Sequence, residues 1–153
     1  MSERLPNARI VVGWREWVAL PGLGLDAVKA KVDTGARTST LHVDRQWRFF
    51  EQGAPWAGFL LSPGVAGQAR EAVAPILDER EVTDSGGRTT RRVFLRTSLV
   101  LAGIEREVEI NLSDRAGMLF PMLMGRTSLA RVFTVDPARS FVHGRPPDVL
   151  PSS

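Results

Sequence analysis

The sequence predicts a small all-β domain, a barrel or a sandwich, with one short helix late in the chain. Three observations carry this. Short apolar stretches rich in β-branched and aromatic residues recur at close spacing. Glycine, proline and aspartate clusters separate them. Only "RTSLARV" (126–132) reads as helix, of one or two turns. The chain has 153 residues, 43% of them hydrophobic, enough for one core and too few for two substantial ones. A single domain is expected over 1–145, with 146–153 as a loose tail.

The elements follow in order. "RIVVGWREWVAL" (9–20) reads as the first strand, and "PGLG" breaks it. "DAVKAKV" (26–32) sets Val28, Ala30 and Val32 against Lys29 and Lys31, the period of a half-buried strand. "STLHV" (39–43) and "AGFLLS" (57–62) are further strands. "EAVAPILDEREV" (71–82) is extended and interrupted by Pro75, and "TDSGG" after it is a hairpin signal. "RTTRRVFLRTSLVLAG" (88–103) is long and β-rich. In "IEREVEINL" (104–112) Ile104, Val108, Ile110 and Leu112 share a face that Arg106 interrupts. "FPMLMG" (120–125) is apolar throughout and suits a strand buried on both faces. "FTVDPARSFV" (133–142) ends the ordered part.

Composition excludes several classes. There is no cysteine, so disulfides, thiolate nucleophiles and cysteine-bound metals are ruled out. No apolar run is long enough to cross a membrane, and "MSERLPNARIVVG" lacks the apolar core of a secretory signal, so a cytoplasmic protein is expected. The net charge is +3, with Lys29 and Lys31 the only lysines. The arginines do not interleave with aromatics, and no helix-turn-helix or zinc-finger spacing appears, so nucleic acid is not the expected partner.

The chemistry-bearing stretch is "AKVDTGARTSTLHV" (30–43). Asp33, Thr34 and Gly35 directly follow a strand. Aspartate and glycine there suit an ordinary turn. They also suit catalysis: a carboxylate for general acid–base work, a hydroxyl to tie two loops together, and a glycine to admit a second backbone. Activating water against a peptide bond takes two carboxylates sharing one proton, and the chain has one such motif. A symmetric dimer supplies the second.

"DTGA", the turn Asp84-Ser85-Gly86-Gly87 and "PMLMGRTSL" (121–129) occur in that order. Together they resemble the retropepsins, dimeric aspartic proteases of retroviral type. "GWREWVALPGLGLDAVKAKVDTGARTSTLH" and "LSDRAGMLFPMLMGRTSLARVFTVDPARSFV" are closer still to a bacterial branch, often labelled "ATP-dependent zinc protease", that accompanies ATP-grasp ligases of the RimK type. The resemblance runs from about residue 10 to residue 145. It implies a closed acid-protease barrel and a homodimer. It implies Asp33, Thr34 and Gly35 as the catalytic loop, with Ala36, Ser85, Gly86, Gly87 and Arg126 against a peptide substrate; Arg37, where this chain departs from the family, is read beside them as a substrate-binding residue. It also implies an ATP-grasp ligase as partner and a glutamate-rich substrate. Residues 44–75 exceed the family's usual spacing and read as an inserted hairpin.

Neither word of that label fits the residues. His42 and His143 are the only histidines, too few for a three-ligand zinc site without carboxylates, and no phosphate loop ending in Lys-Ser/Thr is present. No cofactor or metal is expected. His42 reads as a strand-face histidine bonded to the main chain, or as a neighbour of Asp33. Where retroviral enzymes carry a second aspartate after "DTGA", this chain has Arg37. Arg37 and Arg126 then need an anion, either an internal carboxylate (Asp114, Glu51 or Asp136) or an acidic substrate. Arg88, Arg91 and Arg92 beside the flap turn add to the same field. Trp14 and Trp17 read as packing residues, and Met118, Met122 and Met124 as gap fillers. The competing reading is a silent retropepsin-fold module that binds an acidic peptide or a ligase.

Overall fold

The structure, a computed structural model, describes residues 8–62, 69–114 and 119–144. Met118 and the expected tail at 146–153 lie outside them. Twelve strands and one short helix make up the described chain. Six strands close into a mixed barrel: β2 (Arg15–Leu20), β3 (Leu25–Val32), β4 (Ser39–Val43), β9 (Thr89–Leu101), β10 (Ile104–Asp114) and β11 (Met122–Met124). Around the barrel the order is β10, β4, β11, β3, β2, β9 and back to β10. The seams β3–β11 and β4–β10 are parallel and the other four antiparallel. Closure leaves the barrel no free sheet edge.

The side-chain alternation sets the inside. Val28 and Ala30 of β3 are fully buried, while Lys31 points outward. Leu41, Leu95, Leu99 and Ile110 fill the same core. Each such aliphatic contributes roughly 1.5–3 kcal/mol by leaving water. The interruption at Arg106 has a cause: its guanidinium donates to the Ser128 carbonyl at 2.7 Å, bridging β10 to the helix.

Three expectations needed revision. The stretch 9–20 is two strands, β1 (Ile10–Val12) and β2, because Gly13 is pressed against the Arg139 backbone and has no room for a side chain. β1 then pairs in parallel with β12 (Phe133–Val135). The buried Glu16 carboxylate ties this junction down, accepting the Gly13 N–H at 2.7 Å and the Val142 N–H at 3.0 Å. The insertion is a three-stranded meander rather than a hairpin: β5 (Arg45–Glu51), β6 (Ala54–Leu61) and β7 (Arg70–Pro75). β5 was not singled out in the sequence, since Arg45, Arg48 and Glu51 surround its two packing aromatics, Trp47 against Gly58 and Phe49 6.0 Å from Trp56. Its neighbour β6 supplies the packing face, with Ala57, Phe59 and Leu61 in the barrel's core. Lastly, β11 is not buried on both faces. Met122 and Met124 are enclosed, and Leu123 faces a cleft.

Trp14 packs edge-on against Phe120 at 5.8 Å, and Trp17 lies 6.0 Å from Phe141. Among the described residues no helix is long and apolar enough to cross a membrane.

Candidate active site

Strand β3 delivers Asp33. The Asp33 N–H donates to the Met124 carbonyl at 2.9 Å, which fixes the strand's end against β11. The chain then turns, with Ala36 N–H donating to the Asp33 carbonyl at 3.1 Å. Gly35 N–H donates to Asp33 Oδ1 at 3.0 Å, so the turn holds its own carboxylate. A Cβ on Gly35 would lie 3.2 Å from that oxygen, a crowded contact that glycine avoids.

The "GRTSL" stretch supports this loop from behind. Helix α1 (Arg126–Leu129) is one turn long. Arg126 N–H donates to the Ala36 carbonyl at 2.8 Å, and the Thr127 hydroxyl donates to the Arg37 carbonyl at 2.8 Å. The Arg126 guanidinium reaches the Gly35 carbonyl at 3.3 Å. Gly125 lies against the Thr38 backbone, where a Cβ would collide with main-chain atoms that cannot step aside. The two separated motifs therefore form one unit.

The flap is the hairpin of β8 (Asp78–Thr83) and β9. Its turn is built by Asp84, whose Oδ1 accepts the N–H groups of Gly86 at 2.9 Å and Arg88 at 3.0 Å. Gly87 sits at φ 84°, a left-handed conformation that glycine adopts without strain. At the flap's base Arg80 bonds Asp78 and Glu109, and the Asp78 bond chiefly holds its pKa above the ordinary value. Arg48 of the meander reaches Glu79 at 2.6 Å, and this bond chiefly holds the Glu79 carboxyl below the usual carboxylate range. The meander thus braces the flap.

Between loop and flap lies a cleft of about 820 Å³. It brings together Asp33, Gly35, Ala36, Arg37 and Ser85. Thr34, Gly86, Gly87 and Arg126 are not on its wall. Neither Arg37 nor Arg126 forms an ion pair among the described residues. The carboxylates considered for them have other surroundings: Asp114 accepts from Gln46 at 2.8 Å, Asp136 from the Ala138 N–H at 2.9 Å, and Glu51 is exposed at the end of β5. Arg37 is exposed to the cleft instead.

The sequence did not reveal how flap and floor are joined. Asn111 of β10 is fully buried. Its amide nitrogen donates to the Ser39 carbonyl at 2.9 Å and to the Thr38 hydroxyl at 3.3 Å. Its oxygen accepts from the Thr40 hydroxyl and from Arg92 of the flap arm, both at 3.0 Å. A polar residue between Ile110 and Leu112 was the available signal, since a buried amide needs such partners. His42 also lines the cleft, whereas His143 bonds the Val11 carbonyl elsewhere. Among the described residues no three His, Asp or Glu side chains gather as metal ligands would.

A closed β-barrel with an Asp-Thr-Gly loop, a Gly-Arg support and a glycine-tipped flap defines the retropepsin-like class of aspartic endopeptidase. Residues 11–146 match the family described as RimB-like, retropepsin-like aspartic endopeptidase RimB, and the chain belongs to that family. It is 35% identical over 149 residues to a probable alpha-L-glutamate ligase of Shewanella halifaxensis, covering 95% of this chain and 32% of that protein. It is 38% identical over 136 residues to a probable alpha-L-glutamate ligase of Parasynechococcus marenigrum, covering 86% and 29%. The chain therefore spans about a third of the length of these curated relatives. A crystal structure of a Legionella pneumophila protein of unknown function shares the fold, with a TM-score of 0.74 and 24% identity over 90% of this chain and 99% of that one.

Proposed function

We propose that the chain is an aspartic peptidase that works as a homodimer and cleaves acidic, glutamate-rich protein or peptide tails. The observation that carries this is Asp33, held by its own turn on the wall of a cleft that the flap overhangs. Two such loops meet at the two-fold axis, and the exposed Thr34 of each ties to the other. The two Asp33 carboxyls share one proton. The ionised one takes a proton from water as the water oxygen attacks the peptide carbonyl carbon. The protonated one gives its proton to the carbonyl oxygen. The tetrahedral intermediate then collapses, the amide nitrogen takes a proton, and the C–N bond breaks.

Arg37 supports the acidic preference, as it faces the cleft without an ion pair among the described residues. The relatives named as probable alpha-L-glutamate ligases support it too, because an enzyme that removes glutamate is the natural counterpart of one that joins it. The test is subunit mixing. Wild-type protein is mixed with rising fractions of Asp33→Asn and assayed on a glutamate-tailed peptide. Activity falling as the square of the wild-type fraction supports a shared dyad. A linear fall sinks the dimeric mechanism, and no cleavage of any peptide leaves the silent binding module.

A further inference from the structure

We propose that a second cavity beside the flap is a distal subsite for an acidic peptide chain, entered past Arg92. The proposal rests on the acidic-substrate reading above and extends it. This cavity, about 650 Å³, lies between the flap, the end of β10 and Gln46 of the meander. Asp84, Ser85, Arg92 and Ser113 line both it and the catalytic cleft, so the two spaces adjoin. In this proposal an extended chain leaving the cleft crosses these shared residues to reach the second space.

The walls of this path suit carboxylates. Thr90 and Arg92 fall on one face of β9, because alternate strand residues share a face, and Arg88 lines the same cavity from the flap turn just before the strand. Arg92 stands at the passage, where its Nε donates to the Thr90 hydroxyl at 2.9 Å and its Nη1 to the Asn111 oxygen at 3.0 Å. A guanidinium already held in place loses little freedom when a ligand binds. Arg88 lines this cavity and not the cleft, and it forms no ion pair among the described residues. The cavity also contains two carboxylates, each with one oxygen engaged. Asp84 Oδ1 accepts two turn N–H groups, and Asp114 Oδ1 accepts from Gln46. Arg91 is drawn off to Glu79 at 3.4 Å. On the cavity wall three guanidiniums, Arg88, Arg91 and Arg92, stand against two carboxylates, Asp84 and Asp114, with Gln46 and Ser113 as neutral walls.

The experiment measures binding of fluorescein-labelled diglutamate, octaglutamate and octaglutamine to the full chain carrying Asp33→Asn. Octaglutamate is expected to bind about tenfold more tightly than diglutamate, the size of one charge-assisted hydrogen bond. Adding Arg88→Ala should remove most of that gain and leave diglutamate affinity unchanged. Arg70→Ala, an equal loss of charge on the meander, should leave the gain intact. The subsite is overturned if length brings no gain, if Arg88→Ala preserves it, or if Arg70→Ala erodes it equally. In those cases tighter binding of both glutamate peptides than of octaglutamine still upholds the acidic cleft. If neither glutamate peptide binds better than octaglutamine, both readings fall together.

Discussion

The hydroxyl oxygens of Ser39 and Ser128 lie 2.6 Å apart, though 89 positions separate them in the chain. Ser39 also accepts the Gly125 N–H at 3.0 Å. Both serines are buried. This contact fastens the strand after the Asp-Thr-Gly loop to the helix that supports the loop. Ser39→Ala leaves a buried N–H and a buried hydroxyl short of partners, at a cost of about 1–3 kcal/mol for each orphaned group. Thermal or urea denaturation should show the loss.

Gly125→Ala should be worse. Its methyl meets the Thr38 main chain, so either β4 or α1 has to move. Overpacking against backbone costs about 1–3 kcal/mol or more. A variant that melts with the wild type would show that the loop and the helix are not so tightly joined.

Asp33→Asn preserves shape and removes the acid. Hydrolysis of a glutamate-tailed peptide should fall by several orders of magnitude, while the melting temperature stays close to the wild type's. An Asp33→Asn variant that cuts at the wild-type rate removes Asp33 from the chemistry.

The Arg48–Glu79 pair makes a pH-dependent contribution. Arg48 holds the Glu79 carboxyl below its ordinary range, so the folded state favours the ionised form. That stability is present above the usual carboxylate range, near pH 4.3, and is lost as pH falls through the lowered value. Arg48→Ala should therefore melt slightly below the wild type at neutral pH, and the gap should close in acid. The effect is small because the pair is solvated. A gap that widened in acid would contradict the assignment.

Arg37→Ala should raise KM for a glutamate-rich peptide more than for its glutamine counterpart, and added salt should erode the wild type's preference. A charge-assisted hydrogen bond contributes about 1.5–3 kcal/mol when shielded and far less in the open. Equal effects on both peptides would leave Arg37 without a part in selection.

Local pattern carried much of this protein. The alternation Val28, Ala30, Val32 against lysines marked β3, and "TDSGG" marked the flap turn, because both depend on neighbours in sequence. "DTGA" and "GRTSL" were recognisable for the same reason. Strand β5 was not, since its Trp47 and Phe49 pack on β6, a surface that exists only once the meander has formed. The parallel seams β3–β11 and β4–β10, the direction of Leu123 and the bonding of Arg126 to the Gly35 carbonyl were settled only by the folded chain. So was the Asn111 hub, whose partners Thr38, Ser39, Thr40 and Arg92 come from elements far apart in sequence. The physical reason is common to all of these. Turn geometry and side-chain period are properties of a few adjacent residues, whereas a buried amide's hydrogen bonds and a cleft's walls exist only when barrel closure brings distant strands within reach.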